Sequence, residues 1–137
     1  MIDIKRYMGK WYEIAKIPTS LEYDMVNITA DYTLDDNGTI QVVNSGYIGD
    51  RFRQVKATAK PTDIDGVLSI SFFENLTSEY KILALDKDYR YSLVGGKNRY
   101  HLWILGRTST IPQDIYDHFI KIAKINGYDI DRLVLSK

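Results

Sequence analysis

The ten residues "GKWYEIAKIP", 9 to 18, decide how this chain is read. A glycine and a lysine lead into a tryptophan, a short alternating run follows, and Pro18 stops it, because proline cannot donate to a strand ladder. Period-two alternation marks a half-buried strand, and it puts Glu13 on the same side as Trp11. A strand that buries the largest side chain and carries a carboxylate on the same face needs a polar partner inside. An ion in an apolar interior is costly unless it is paired or neutral.

Outward from this run, similar short runs recur between turn signals, at the spacing of an all-β barrel or sandwich. After Lys10–Ile17 and a loop over "PTSLEYD" come Asn27–Leu34, Thr39–Tyr47, Arg53–Lys60, Val67–Phe73, Tyr80–Asp86, Arg90–Gly95 and Arg99–Gly106. The links are mostly of hairpin length. "DDNG" (35–38) is the strongest of them, since Asn-Gly supplies the positive φ of a tight turn. Eight runs in a row predict an up-and-down antiparallel meander.

The period then changes. Ile115, Phe119, Ile122 and Ala123 fall on one helical face. Pro112 suits the first turn and Gly127 the C-terminal cap. Asp114 and Asp117 lie early and Lys121 and Lys124 late, complementing the helix dipole, and Asp117 with Lys121 forms an i,i+4 pair. "RLVLS" (132–136) is expected to add a short final strand. Eight strands need their edges managed, and closure into a barrel removes them. The expectation is an all-β, eight-stranded up-and-down antiparallel barrel, residues 1–137 as a single domain, with the C-terminal helix packed on its wall.

Composition narrows the function classes. Lysine plus arginine equals aspartate plus glutamate at 18 each, so no long-range field draws the protein to nucleic acid. There is no cysteine, which removes disulfides, thiolate catalysis and thiolate metal sites. No apolar run approaches the length of a membrane span. The N-terminus lacks the apolar core of a secretory signal. The chain therefore reads as cytoplasmic, or as belonging to the cell envelope or periplasm where a signal has been removed. Eleven tyrosines offer apolar area with a polar tip, suited to a sheet and to a cavity. An eight-stranded barrel is either filled by side chains or holds one small ligand. Small residues at mid-strand (Ala15, Ala30, Ala57, Ala59, Ala84, Ser92) argue for space. Large ones (Tyr32, Phe72, Tyr80, Trp103) argue for filling, and period counting leaves the choice open.

"GKWYEIAKIP" resembles the first signature of the lipocalins, "ALDKDY" (84–89) the second and "WILGRT" (103–108) the third, in order and at suitable separations. The resemblance covers nearly the whole chain, and its wording is nearest to the bacterial members and their relative apolipoprotein D. It implies a calyx closed at one end, with Trp11 at the closed end beneath the Arg107 guanidinium. It assigns Gly9, Trp11 and Arg107 to structure and has residues 2 to 8 cross the closed end as a short helical turn. Bacterial members carry a lipid-anchored cysteine that is missing here, and no stable membrane insertion is expected. The pocket cysteine of the family's prostaglandin-isomerising enzyme is missing too.

With Trp11 inward, Glu13, Ala15 and Ile17 follow it in. With Arg107 in phase, Leu105, Trp103 and His101 follow. Tyr32, Asn44, Val55, Ala57, Leu68, Ile70, Phe72, Tyr80, Ile82 and Val94 complete the expected lining, mostly apolar with a few polar groups, as in small-molecule sites. Asn44 is expected to meet a ligand or to pair with Tyr32 or Tyr80, and Glu13 to hydrogen-bond a tyrosine or trapped water. The function implied is binding, storage or transport of a small hydrophobic ligand, a fatty acid or lysophospholipid, by a monomer or weak dimer without cofactor. An alternative is an enzyme on a lipid-like substrate with Glu13 or His101 as acid or base, though no catalytic triad or phosphate-loop pattern is present. Another is a haem or tetrapyrrole binder through His101. The two histidines, His101 and His118, lie on different elements and make a poor metal set.

Overall fold

The computed structural model describes residues 1–18, 25–73 and 76–136, with the side chains of 72 to 76 outside that description. A helical turn α1 (Ile4–Tyr7) precedes strands β1 (Gly9–Lys16), β2 (Val26–Leu34), β3 (Ile40–Ile48), β4 (Arg51–Pro61), β5 (Val67–Phe73), β6 (Leu76–Leu85), β7 (Tyr91–Gly95) and β8 (Leu102–Gly106). Helix α2 (Gln113–Ile125), a 3-10 turn (Ile130–Arg132) and β9 (Val134–Leu135) follow. Each of β1 to β8 pairs antiparallel with the next, and β1 pairs with both β2 and β8, closing the expected eight-stranded barrel. The pairing of β1 with β2 covers only Gly9–Tyr12, and above it Ala15 and Lys16 pair with β9 instead.

Local chemistry explains the meander. In the β2–β3 turn the Asp35 carboxylate accepts the N–H groups of Asn37 and Thr39, and Gly38 takes the positive φ of 86°. Helix α2 starts beyond Pro112 and ends at Asn126, with Gly127 at φ 86° just past the cap. Asp117 accepts from Gln113 Nε2 at 2.9 Å, so the expected pairing with Lys121 gives way to a hydrogen bond one turn back. Two strand starts differ from the sequence reading by three residues or more. β6 begins at Leu76 because its ladder to β5 extends to the Phe73–Leu76 pair. β8 begins at Leu102, because His101 N–H bonds Asn98 O and Gly96 N–H bonds His101 O, making 96–101 a turn. Most of the loop read over "PTSLEYD" lies outside the described residues.

Two apolar clusters divide the molecule. Inside the barrel lie Trp11, Ala30, Tyr32, Val42, Ala57, Leu68, Ile70, Tyr80, Val94 and Leu105. Outside, Ile14, Ala15, Ile17, Leu93, Leu102 and Ile104 meet Phe119, Ala123 and Tyr128 of the helical segment. Three sequence readings are corrected here. Ala15, Ile17 and Ala84 face the outer cluster and not the interior. The cause is a register shift between Glu13 and Ala15 on β1 and another between Ile82 and Ala84 on β6. One extra residue in a strand reverses the facing of everything beyond it.

Candidate ligand cavity

The barrel's closed end is built around an arginine. Arg107 lies 3.8 Å above the Trp11 ring centroid. Its three nitrogens donate to Tyr89 O at 3.0 Å, Lys10 O at 3.1 Å and Arg6 O at 2.8 Å. The Trp11 indole N–H donates to Tyr7 O at 2.8 Å, which ties α1 across the opening. Gly9 has φ 102°, and a Cβ there would stand 3.3 Å from the Arg107 guanidinium, so glycine serves both the backbone conformation and the close approach. Ile2 N–H bonds the Asp65 carboxylate and Asp3 N–H the Tyr89 hydroxyl, so the turns after β4 and β6 close on the same cap.

Directly above this floor, four hydroxyls form a chain. Tyr32 and Tyr80 are 2.9 Å apart, Tyr80 and Tyr7 2.7 Å, and Tyr7 and Ser92 2.9 Å. The rings stand at tilted or edge-on angles with centroids about 6 Å apart. Burial away from water pushes the Tyr7 phenol up to about 12 and raises Tyr32 and Tyr80 as well, so all three are neutral at physiological pH. Tyr32 and Tyr80 thus fill the lower calyx and hold one another. Ser92, read among the small residues that argue for space, completes the chain.

Around and above the tyrosines, Ala30, Ala57, Leu68, Ile70, Ile82, Val94 and Leu105 line the interior with apolar surface. The lower barrel is filled by side chains, and toward the mouth the inward-phase residues become exposed. Along the inward face of β4, Ala57 is 6% exposed but Val55 is 49% exposed, so the wall opens to solvent within one pleat. Asn44 stands on this tier, between Ala30 of β2 and Val55 of β4 in the ladder. Tyr32 and Tyr80 are engaged elsewhere, so the expected pairing with them is not made, and the Asn44 amide has no protein partner among the described residues. His101 sits at the mouth, its ring 6.0 Å from that of Trp103. Phe72 lies on β5, with its side chain outside the description.

Glu13 opens inward opposite Leu105, as the alternation required. Its carboxylate is 3.3 Å from Lys16 Nζ and accepts from Ser136 Oγ at 2.9 Å. The two charged side chains are only 4% and 6% exposed. Lys16 comes inside because of the bulge, which turns an i,i+3 spacing into one shared face. Strict alternation therefore placed Ala15 in the pocket and missed Lys16. Two further inward residues were also missed, Arg51 and Arg53. β3 and β4 pair without a register shift, so the inward phase of Ala57 and Val55 continues through Arg53 and Arg51 at the rim. Carrying the alternation two pleats further would have found them. Glu13 and His101 are not brought together. Glu13 pairs with Leu105, four residues along from His101, which is roughly 13 Å of strand.

A barrel capped at one end and open at the other has the form of a calyx. A family model, the lipocalin-like domain, matches residues 2–137. The outer membrane lipoprotein Blc of Citrobacter freundii is 38% identical over 139 residues, covering 98% of this chain and 78% of that one. Apolipoprotein D of Mus musculus is 35% identical over 145 residues, covering 98% and 76%. Among solved structures, the cockroach allergen Per a 4 superposes with a TM-score of 0.77 at 26% identity, over 99% of this chain and 88% of that one. The chain belongs to the lipocalin family, whose members bind small hydrophobic ligands and are in general non-catalytic.

Proposed function

We propose that this protein binds and carries a single-chain amphiphile, a fatty acid or lysophospholipid, without chemical conversion. The observation that supports it most is the change along one face of β4, where buried Ala57 gives way to solvent-open Val55 and then to Arg53. The acyl chain lies along inward apolar residues on the mouth side of the floor, Ala57, Ile70, Val94 and Trp103, and stops above the tyrosines. The polar head remains at the mouth, where Asn44, His101 and Arg53 offer donors. Glu13 is held by Lys16 and Ser136, so this reading gives it a structural part in setting the cavity's polar wall, with no role as base.

The test is displacement of a fluorescent fatty-acid analogue by fatty acids and lysophospholipids, followed in parallel through Trp103 emission. Saturable displacement with micromolar or better affinity is expected. No displacement across a panel of single-chain lipids overturns the proposal. A Soret band on titration with haem would redirect it to a tetrapyrrole ligand on His101.

A further inference from the structure

The mouth carries a second feature, exposed aromatic side chains that the cavity does not use. Of the ten large hydrophobic side chains exposed on the described surface, only Met1 and Ile64 sit at the closed end. The others lie in the open half, and the densest group is the β3–β4 hairpin tip, with Tyr47 40%, Ile48 40% and Phe52 53% exposed. Tyr47 and Phe52 pair across the ladder on the outward face, their ring centroids 5.4 Å apart. Their exposure is therefore not explained by lining the calyx. Arg51 and Arg53 flank Phe52 on the same tip, and neither guanidinium has a carboxylate partner among the described residues. Across the mouth, the β7–β8 turn repeats the composition with exposed Tyr100 beside Lys97 and Arg99.

We propose that the rim docks on a phospholipid bilayer, with the β3–β4 tip as the main contact and the β7–β8 turn as the second. Aromatic side chains with a polar edge suit the headgroup region of a bilayer. Cations on the same tips complement the lipid phosphates, which charge complementarity with an uncharged protein surface would not require. Contact through these two turns points the calyx opening at the membrane, where a single-chain lipid would enter or leave. The contact is peripheral. No helix among the described residues is long and apolar enough to cross a membrane. Its aromatic pair, Tyr47 and Phe52, lies on the outward face away from the cavity, so the docking reading stands or falls separately from the carrier reading.

The experiment measures co-sedimentation with phosphatidylcholine vesicles containing a fraction of phosphatidylglycerol, alongside displacement of the fatty-acid analogue, for the parent and for Tyr47→Ser/Phe52→Ser. Vesicle binding is expected to fall about tenfold or more in the double variant while displacement is retained, because two partly inserted aromatic rings are lost. Arg51→Glu/Arg53→Glu is expected to weaken binding about fivefold or more per position, with a shallower salt dependence. A parent that does not bind vesicles overturns the proposal, as does a double variant that binds as well as the parent. Loss of analogue binding together with vesicle binding assigns the tip to the cavity and also overturns it. A dimer seen by sedimentation equilibrium that the double variant abolishes, with no vesicle binding by the parent, makes the surface an interface between copies. Vesicle binding without analogue displacement leaves the docking surface standing and removes the carrier reading alone.

Discussion

Tyr80→Phe tests whether the calyx floor is a connected hydroxyl chain. The Tyr80 hydroxyl bonds both Tyr32 at 2.9 Å and Tyr7 at 2.7 Å. Tyr7 keeps Ser92 after the substitution, but Tyr32, 7% exposed, loses its described partner. An unsatisfied buried hydroxyl costs roughly 1–3 kcal/mol, so a loss of about 2 kcal/mol is expected. At an unfolding entropy of about 2.1 cal/mol/K per residue, this length of chain converts each kcal/mol into about 3.5 °C, so the midpoint falls by about 7 °C. The double variant Tyr32→Phe/Tyr80→Phe removes the stranded hydroxyl as well. It is expected to be no less stable than Tyr80→Phe, a coupling that a two-by-two cycle in urea reads directly. If Tyr80→Phe is neutral, or if the two losses simply add, the hydroxyls are solvated through the cavity and the floor is not a closed network.

Three further outcomes follow from the same geometry. The unfolded chain releases phenolic protons near pH 10, whereas the folded chain holds that of Tyr7 to about 12 and those of Tyr32 and Tyr80 high as well. Stability is therefore complete below pH 10 and falls as pH rises beyond it, by up to about 4 kcal/mol per pH unit for three protons. Phenolate absorbance and loss of fold should appear in one cooperative alkaline step, and titration of these phenols within an intact fold would contradict the burial. Arg107→Lys keeps a charge but not the planar fork that reaches three carbonyls, so it should cost about 2–4 kcal/mol in urea unfolding, and stability matching the parent would discount the cap. Ala15→Asp should destabilise by about 3 kcal/mol with ligand affinity unchanged in what remains folded, because its side chain meets the helical wall. A selective loss of ligand binding would return Ala15 to the pocket.

Much of this was legible in one dimension because it depends on local periodicity. The strand runs, the β2–β3 turn and the helix with its Gly127 end arise from residues that are neighbours in sequence. The inward phases of Trp11, Tyr32, Asn44, Val55, Ala57, Leu68, Ile70, Tyr80, Ile82, Val94 and Trp103 follow from alternation within uninterrupted ladders. The errors cluster where alternation is broken. Ala15 and Ile17 on β1, and Ala84 on β6, each follow a register shift. Such a shift costs little locally and leaves no distinct residue signature, so counting by twos passes straight through it.

By itself, the sequence determined the class of the fold, a closed meander with one helix, and the residues able to build a cap, because hydrophobic period and turn chemistry act over a few residues at a time. Tertiary structure decided what the interior is. It joined Tyr7, Tyr32, Tyr80 and Ser92, up to 85 residues apart, into a floor that shortens the cavity. It also brought Ser136 from the far end of the chain to Glu13 and turned Lys16 inward to meet the same carboxylate. The charge beside the first tryptophan is tolerated inside the barrel because a one-residue bulge turns Lys16 to it and the pairing of the final strand with β1 carries Ser136 to it, and neither the bulge nor that pairing can be seen until the chain is closed.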